Sequence, residues 1–156
     1  EKTGLDILTH QRLTVHRYQR LLEEMQSIGA SAYLMPVLQG FAPQDYVNHL
    51  SMYGDLLKPG MWVGVGSVCK RNGSPAQIRA VLMAIHLARP DLRLHGFGLK
   101  RTALADSVAW DILYSADSLA ASFAARKSPT ESANDPRVAL RYAQQIKRPA
   151  QMSIFA

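Results

Sequence analysis

Short apolar runs alternate with amphipathic segments along most of the chain. Four runs have the length of a β-strand and end at glycine or at small residues before an acid: residues 32–38, 61–65, 92–97 and 111–115. Two stretches between them repeat apolar side chains at helical spacing and begin at or beside a proline: residues 44–57 and 75–88. The pattern therefore predicts strands at the four runs and helices at the two stretches.

Further helices are predicted before the first strand, between the third and fourth strands, and after the fourth strand. Residues 9–28 form one long candidate, whose inward side chains we expect to be Leu13, Tyr18, Leu21, Leu22, Met25 and Ile28. Residues 102–109 and 117–126 form two shorter candidates. Each predicted strand is then separated from the next by helical sequence.

The composition changes near the C-terminus. Residues 128–136 are polar and contain two prolines, which is typical of a loop or linker, and helical spacing resumes over residues 137–147. We therefore expect one folded unit over residues 1–127, followed by a linker and a C-terminal helix over residues 128–156.

The alternation of strand and helix predicts an α/β fold with a parallel sheet. Two layouts satisfy this pattern: an open doubly wound sheet, or part of a (β/α)8 barrel, whose complete form takes roughly 250 residues. Four strands are too few to close a barrel. The second layout, the C-terminal part of a (β/α)8 TIM barrel, therefore requires an N-terminal half-barrel or a partner subunit.

Composition narrows the class of protein. Of the 156 residues, 47% are hydrophobic and 19% are charged, which excludes a disordered chain and fits one core. A single cysteine, Cys69, excludes a disulfide framework and a multi-cysteine zinc cluster. We find neither an apolar run of roughly 18 residues nor a signal sequence. We expect a cytoplasmic protein with no membrane contact, no metal site and no cofactor.

The charge is basic and uneven. Lysine and arginine number 18 against 12 acidic residues, and the net charge is +6. Residues 79–156 hold 11 basic and 6 acidic side chains, and therefore carry +5 of that excess. A surplus of this size favours contact with a polyanion, although many basic proteins bind none.

The candidate site residues follow the predicted strands. In parallel sheets, ligands bind where the carboxyl ends of the strands meet at one rim. An amide, two glycine-rich segments that precede basic pairs, and one carboxylate occur at these ends: Gln39, Gly40, Gly64, Gly66, Lys70, Arg71, His95, Gly96, Gly98, Lys100, Arg101 and Asp117. We expect them to converge on this rim.

Each of these residues also has an ordinary structural interpretation. Glycines at strand ends serve turns and close packing, and basic pairs are commonly solvated surface charge. Asp117 occupies a position where it could cap the predicted helix, and His95 lies in an apolar strand where core histidines are common. The residue types alone leave both interpretations open.

The order of the motifs resembles the tRNA-guanine transglycosylase superfamily. The matching segments are Pro36 to Gly40, Val63 to Gly66, Leu94 to Gly98 and Ser115 to Asp117, and the resemblance spans about residues 11–126. It is closest to the divergent branch that places 7-deazaguanine bases into DNA. The resemblance implies a (β/α)8 barrel and exchange of guanine for a 7-deazaguanine base.

The resemblance also implies roles for individual residues. Asp117 would be the nucleophile, and Gln39, with Gly40 beside it, would hydrogen-bond the base. The segment with Val63, Gly64 and Gly66 would border the base pocket, while His95, Gly96 and Gly98 would lead to the sugar. Independently of the resemblance, the basic pairs Lys70–Arg71 and Lys100–Arg101 are candidate phosphate contacts, because they lie beside glycine-rich backbone. These roles require Gln39 and Asp117 to share one cavity.

Two departures from the superfamily pattern leave alternatives open. The other essential carboxylate lies in the N-terminal half of the barrel, outside this chain, and a single cysteine cannot form the three-cysteine, one-histidine zinc site of the tRNA-modifying members. We expect DNA as the substrate, with a tRNA-guanine transglycosylase as the alternative within the same chemistry, because composition does not separate the two. A noncatalytic half-barrel that binds nucleic acid and an unrelated doubly wound nucleotide-binding protein are the alternatives.

Overall fold

A computed structural model describes residues 4–146. Its four strands form one sheet in the order β1-β2-β3-β4, with every neighbouring pair parallel. The strands are β1 (Val37–Leu38), β2 (Trp62–Val65), β3 (Arg93–Gly96) and β4 (Leu113–Ala116). The predicted α/β fold with a parallel sheet is confirmed.

The strand order distinguishes between the two layouts. A doubly wound sheet reverses its strand order at a switch point, whereas a barrel adds each strand beside the previous one. The four strands within residues 4–146 follow one another without reversal, with Val37 beside Gly64 and Gly64 beside His95. The sheet is therefore consistent with part of a barrel.

The helices lie between and around the strands. They are α1 (Ile7–Ser27), α2 (Pro43–Tyr53), α3 (Pro75–Ala88), α4 (Arg101–Leu104), α5 (Ser107–Ile112), α6 (Ala120–Lys127) and α7 (Pro136–Gln144), with 3-10 turns at Gly54–Leu56 and Val68–Arg71. Helix α3 begins and ends where the sequence predicts. The predicted end of the last helix, Lys147, lies outside the described residues. None of the helices within residues 4–146 has the length and apolar character needed to cross a membrane.

The first and last strands differ from their predicted bounds. Strand β1 contains only two residues, because Pro36 has no N–H for the ladder and Tyr53 binds both backbone groups of Val37, at 3.1 and 3.3 Å. Strand β4 begins at Leu113 because Asp106 caps α5 by accepting from the Ala109 N–H at 3.1 Å. The helix then extends through Ile112, which the sequence pattern assigned to the strand.

The core lies between one face of the sheet and the helices α2 and α3. Its fully buried members include Leu38, Val63, Val65 and Leu94 from the strands, and Tyr46, Ile78, Leu82 and Ile85 from the helices. Helix α1 adds Val15 and Tyr18. The prediction that Leu21 and Ile28 face inward is wrong, because both side chains are exposed. Leu21 lies to the side of the buried face of α1, and Ile28 follows the last residue of the helix.

The opposite face of the sheet carries an exposed aromatic cluster. Side chains alternate along a strand, so Trp62 projects away from the face that Val63 and Val65 bury. The Trp62 ring lies 4.7 Å from that of Tyr114, and the Arg93 guanidinium lies 5.1 Å from the Tyr114 ring. Tyr114 is 62% exposed. In a closed barrel, this face would be the interior.

Candidate functional site

The loops that follow the four strands place the predicted site residues along one edge of the sheet. Gln39 follows β1, Gly66 follows β2, Gly98 lies two residues after β3, and Asp117 follows β4 directly. This is the edge at which parallel sheets bind ligands. The contacts at each loop determine which of these residues come together.

Two buried polar side chains hold the loop after β1. The Gln39 N–H donates to Nδ1 of His49 at 3.0 Å, and the Gln39 carbonyl accepts from Nε2 of Gln11 at 2.6 Å. Gln11 also donates to the Asp45 carbonyl at 2.9 Å. Gln11 and His49 are 2% and 0% exposed. Both backbone groups of Gln39 are therefore fixed by side chains from α1 and α2, which the sequence analysis missed.

His49 is held in its neutral form. Burial lowers its pKa, and Nδ1 accepts a hydrogen bond, so the proton of the neutral ring is on Nε2. Within residues 4–146, Nε2 has no hydrogen-bond partner. The sequence signal was a histidine in the apolar stripe of α2, one turn after Tyr46. It indicates burial but not the backbone group that His49 binds.

Tyr46 joins the loops after β1 and β2. Its side chain is fully buried, and its hydroxyl lies 3.1 and 2.9 Å from the carbonyl oxygens of Gly40 and Gly66, which share its single proton. Burial raises the pKa of Tyr46. Since the hydroxyl lies between two glycine carbonyls, it fixes the relative positions of Gln39 and Gly66.

One cavity collects four of the predicted residues. A cavity of about 540 Å³ is lined by Gln39, Gly40, Lys70 and Arg71 together with Ile7, His10, Gln11, Phe41, Ser67 and Gln77. This volume lies within the roughly 300–1,000 Å³ of ligand pockets. Its wall combines carboxamides, cations and one exposed aromatic ring. The loops after β1 and β2 therefore form a common site.

Arg71 fastens these two loops to each other. Its guanidinium donates to the carbonyl of Ser67 at 3.1 Å and to the carbonyl of Phe41, and it lies 5.3 Å from the centre of the Phe41 ring. Ser67 has a left-handed backbone, with φ of 64°. Arg71 thus has a structural role in addition to the predicted phosphate contact.

Close packing accounts for several of the predicted glycines. A Cβ at Gly64 would lie 2.3 Å from the Phe97 ring, one at Gly96 would lie 2.5 Å from Leu99, and one at Gly40 would lie 2.7 Å from Asp45. At Gly66, it would lie 3.2 Å from the Leu38 carbonyl. These contacts show that the ordinary interpretation, close packing, applies at these positions.

Val63 and His95 occupy different faces of the sheet. Val63 is completely buried in the core, so only its backbone remains for a ligand. His95 is partly buried, with Nδ1 2.7 Å from the Ser115 hydroxyl and its ring 4.8 Å from that of Phe97. His95 therefore has the hydrogen-bond partner expected of a structural histidine, on the face opposite Val63.

Asp117 does not cap a helix. The predicted helix over 117–126 begins at Ala120 with Leu119 as its N-cap residue. The Asp117 carboxylate instead accepts from the N–H of Gly98, and its backbone N–H donates to the Gly96 carbonyl at 3.2 Å. Asp117 is exposed. The structure therefore presents a solvent-accessible carboxylate that is oriented by the loop after β3.

Asn72 connects the loops after β2 and β3 and is a further residue that the sequence analysis missed. Its Nδ2 donates to the Gly98 carbonyl at 2.9 Å and to the Cys69 carbonyl at 2.7 Å, and its Oδ1 accepts from the Lys100 N–H at 2.8 Å. Gly98 has φ of 66°, which favours glycine. Asn72 therefore supports the turn that holds Asp117.

The predicted residues fall into two groups. Asp117 lines a separate cavity of about 160 Å³, with Leu99, Tyr142 and Ile146 among its neighbours. Arg101 donates to Gln145 at 2.5 Å, near the C-terminal helix. Gln39 and Asp117 follow strands three positions apart, or about 14 Å along the sheet edge. The cavities within residues 4–146 do not bring Gln39 and Asp117 together.

The residues present do not fit the zinc site of the tRNA-modifying members. Such a site needs three cysteines and a histidine, and the sequence has one cysteine, Cys69. Within the described part of the chain, no three His, Cys, Asp or Glu side chains lie together as potential metal ligands.

The comparisons with known proteins identify the family. The model of the family described as DpdA, DeoxyPurine in DNA protein A, matches residues 1–150. No curated protein and no solved structure matches the chain. The DpdA family is similar to the tRNA-guanine transglycosylases and is consistent with their DNA-modifying branch. Because the match covers nearly the whole sequence, this chain belongs to the DpdA family.

Proposed function

We propose that the chain carries the nucleophile of a DNA guanine transglycosylase, which replaces guanine in DNA by a 7-deazaguanine base. One observation carries the proposal: in a member of the DpdA family, an exposed carboxylate, Asp117, is held by the Gly98 N–H at the carboxyl end of β4. The hydrogen bond to one oxygen orients the carboxylate and leaves its other oxygen for attack.

The reaction proceeds in two displacements. A carboxylate oxygen of Asp117 bonds to C1′ of the deoxynucleotide while the C1′–N9 bond breaks and its electron pair leaves with guanine, which takes up a proton. The incoming base then attacks C1′ through N9, loses its N9 proton and releases Asp117. Two inversions give net retention, as in retaining glycosidases. Bonds and charge balance without an oxidant, a reductant or ATP.

Gln39 is proposed to recognise the base. A carboxamide both donates and accepts hydrogen bonds, which matches the mixed edge of guanine and its 7-deaza analogues. The backbone of Gln39 is fixed by His49 and Gln11, so its side chain starts from a defined position. Gly64 and Gly66 would border the base, and His95, Gly96 and Gly98 would lie toward the sugar.

The proposed substrate is DNA. The family description favours DNA over tRNA, and the net charge of +6 suits a polyanion. Lys70, Arg71, Lys100 and Arg101 are the proposed phosphate contacts. The target base must leave the stack to reach Asp117, at a cost of roughly a few kcal/mol that these contacts would offset.

The site is proposed to be completed by an N-terminal half-barrel, either from the same polypeptide or from a partner subunit. Further strands would cover the face with Trp62, Arg93 and Tyr114, and would close the rim so that Gln39 and Asp117 face one mouth. The acid that protonates guanine would come from that half. Residues 1–127 would form the barrel part, and α7, which packs on α6, would belong to the segment 128–156.

The test is exchange of labelled guanine out of DNA by the native protein. Replacing the nucleophile, Asp117→Asn, should reduce exchange by at least about a thousandfold, because an amide oxygen is a poor nucleophile toward C1′. Asp55→Asn is the matched control, since Asp55 is an exposed carboxylate in the 3-10 turn before β2, at the amino end of the sheet. Equal exchange by the Asp117→Asn and Asp55→Asn variants would contradict the proposal.

A further inference from the structure

Phe41 combines high exposure with a rigid backbone. It is 75% exposed, among the most exposed large apolar residues described. Its N–H donates to Oδ2 of Asp45 at 2.8 Å, and its carbonyl accepts from Arg71. These hydrogen bonds fix the backbone of Phe41, while its ring stays exposed to solvent. Exposed aromatic side chains are typical of binding surfaces, because a rigid ring provides contact area at a low cost in conformational entropy.

The surroundings of Phe41 match the chemistry of a nucleotide. Phe41, Arg71 and Lys70 line the same cavity of about 540 Å³, together with the carboxamides of Gln39 and Gln77. A ring provides a stacking surface, cations bind phosphate, and carboxamides bind the edge of a base. Arg71 lies against the Phe41 ring and also retains N–H groups beyond the two that bind the Phe41 and Ser67 carbonyls.

We propose that Phe41 is a stacking site for an unpaired DNA base beside the exchanged nucleotide, with Lys70 and Arg71 on its phosphate. This proposal rests on the proposed function, because it takes DNA as the substrate. It deepens that function by requiring that the DNA be unpaired next to the nucleotide whose base is exchanged. Stacking on Phe41 holds the neighbouring base outside the duplex while the target base enters the site.

The test is binding of a fluorescein-labelled oligothymidylate to the 156-residue chain, measured by fluorescence anisotropy. Phe41→Ala should weaken binding by between about 5-fold and about 150-fold, the range for loss of one stacked base. Phe41→Leu should weaken it similarly, because it keeps the apolar volume and loses the ring face. Phe41→Trp should restore wild-type affinity.

The matched control is Phe123. It is 58% exposed and has a lysine, Lys127, 4.5 Å from its ring centre, yet it lines none of the cavities described within residues 4–146. Phe123→Ala should change affinity by less than about twofold. An equal loss from Phe41→Ala and Phe123→Ala would overturn the proposal, as would full affinity in both Phe41→Ala and Phe41→Leu.

An abasic oligodeoxynucleotide separates stacking from a structural effect. The wild-type chain should bind it more weakly than oligothymidylate by the same factor that Phe41→Ala costs, and the Phe41→Ala variant should bind both probes equally. The proposal would be overturned if removal of the bases weakened binding to the Phe41→Ala variant as much as it weakens binding to the wild type. This binding assay involves no base exchange, so Phe41-dependent binding without exchange would contradict only the proposed function, and exchange without Phe41-dependent binding would overturn only the stacking site.

Discussion

The loops after β1 and β4 hold their key residues in different ways. Both backbone groups of Gln39 are bound by the buried side chains of Gln11 and His49. Asp117 is exposed, and it is bound by backbone groups instead: its carboxylate accepts from the Gly98 N–H, its N–H donates to the Gly96 carbonyl, and its carbonyl accepts from the Leu99 N–H. Rigid backbone suits recognition of a flat base, and an accessible carboxylate suits attack on a sugar. In the proposed mechanism, the loop after β1 would recognise the base and the loop after β4 would carry the nucleophile.

The largest expected stability effect concerns the loop after β1. His49→Ala leaves the Gln39 N–H without its acceptor and creates a cavity at a fully buried position, so the free energy of unfolding should fall by about 2–4 kcal/mol. Urea unfolding measures this. His16→Ala is the control, because His16 is exposed on α1 and its loss should cost less than about 0.5 kcal/mol. Similar values for the two variants would show that His49 is not an anchor.

The orientation of Asp117, after β4, depends on a glycine in the loop after β3, Gly98, rather than on a buried side chain. Gly98→Ala places a Cβ 2.9 Å from Cβ of Cys69 at a φ of 66°, and should lower the free energy of unfolding by about 1–3 kcal/mol. Gly73→Ala is the control, since a Cβ at Gly73 has open space. Thermal unfolding that is unchanged by Gly98→Ala would mean that the turn holding Asp117 adapts freely.

A smaller effect is expected from pH. Burial lowers the pKa of His49, so below about pH 6.5 the unfolded chain binds a proton that the folded chain does not. The stability that depends on neutral His49 is fully present above that pH and decreases as the pH falls, by at most about 1.4 kcal/mol per pH unit. Urea unfolding between pH 5 and 7 should show a shallower decrease in the His49→Gln variant; an unchanged pH dependence would contradict this.

Much of the fold could be predicted from periodicity. The four strands, their parallel order and the bounds of α3 follow from apolar spacing, because each element buries one face. The short length of β1 could not be predicted in full, since it also depends on the Tyr53 hydroxyl, which binds both backbone groups of Val37 from 16 positions away. The late start of β4 depends on a cap at Asp106 that competes with the strand pattern.

The residue types of the candidate site could be predicted from the sequence, but the hydrogen bonds that hold these residues in place could not. Sequence placed Gln39, Arg71, Gly98 and Asp117 on the correct loops, because carboxyl ends of parallel strands share one edge. Gln11 binds the Gln39 carbonyl across 28 positions, and no local pattern selects that partner. The grouping into cavities likewise depends on three-dimensional packing. The shared cavity of Gln39 and Asp117 stays a prediction.

The most direct test of the account is to map the covalent intermediate. The native protein, incubated with DNA in the absence of an incoming base, quenched and digested, should yield a peptide carrying a deoxyribose adduct, and mass spectrometry should place that adduct on Asp117. An adduct on any other residue, or base exchange that proceeds undiminished in Asp117→Asn, would contradict the central claim.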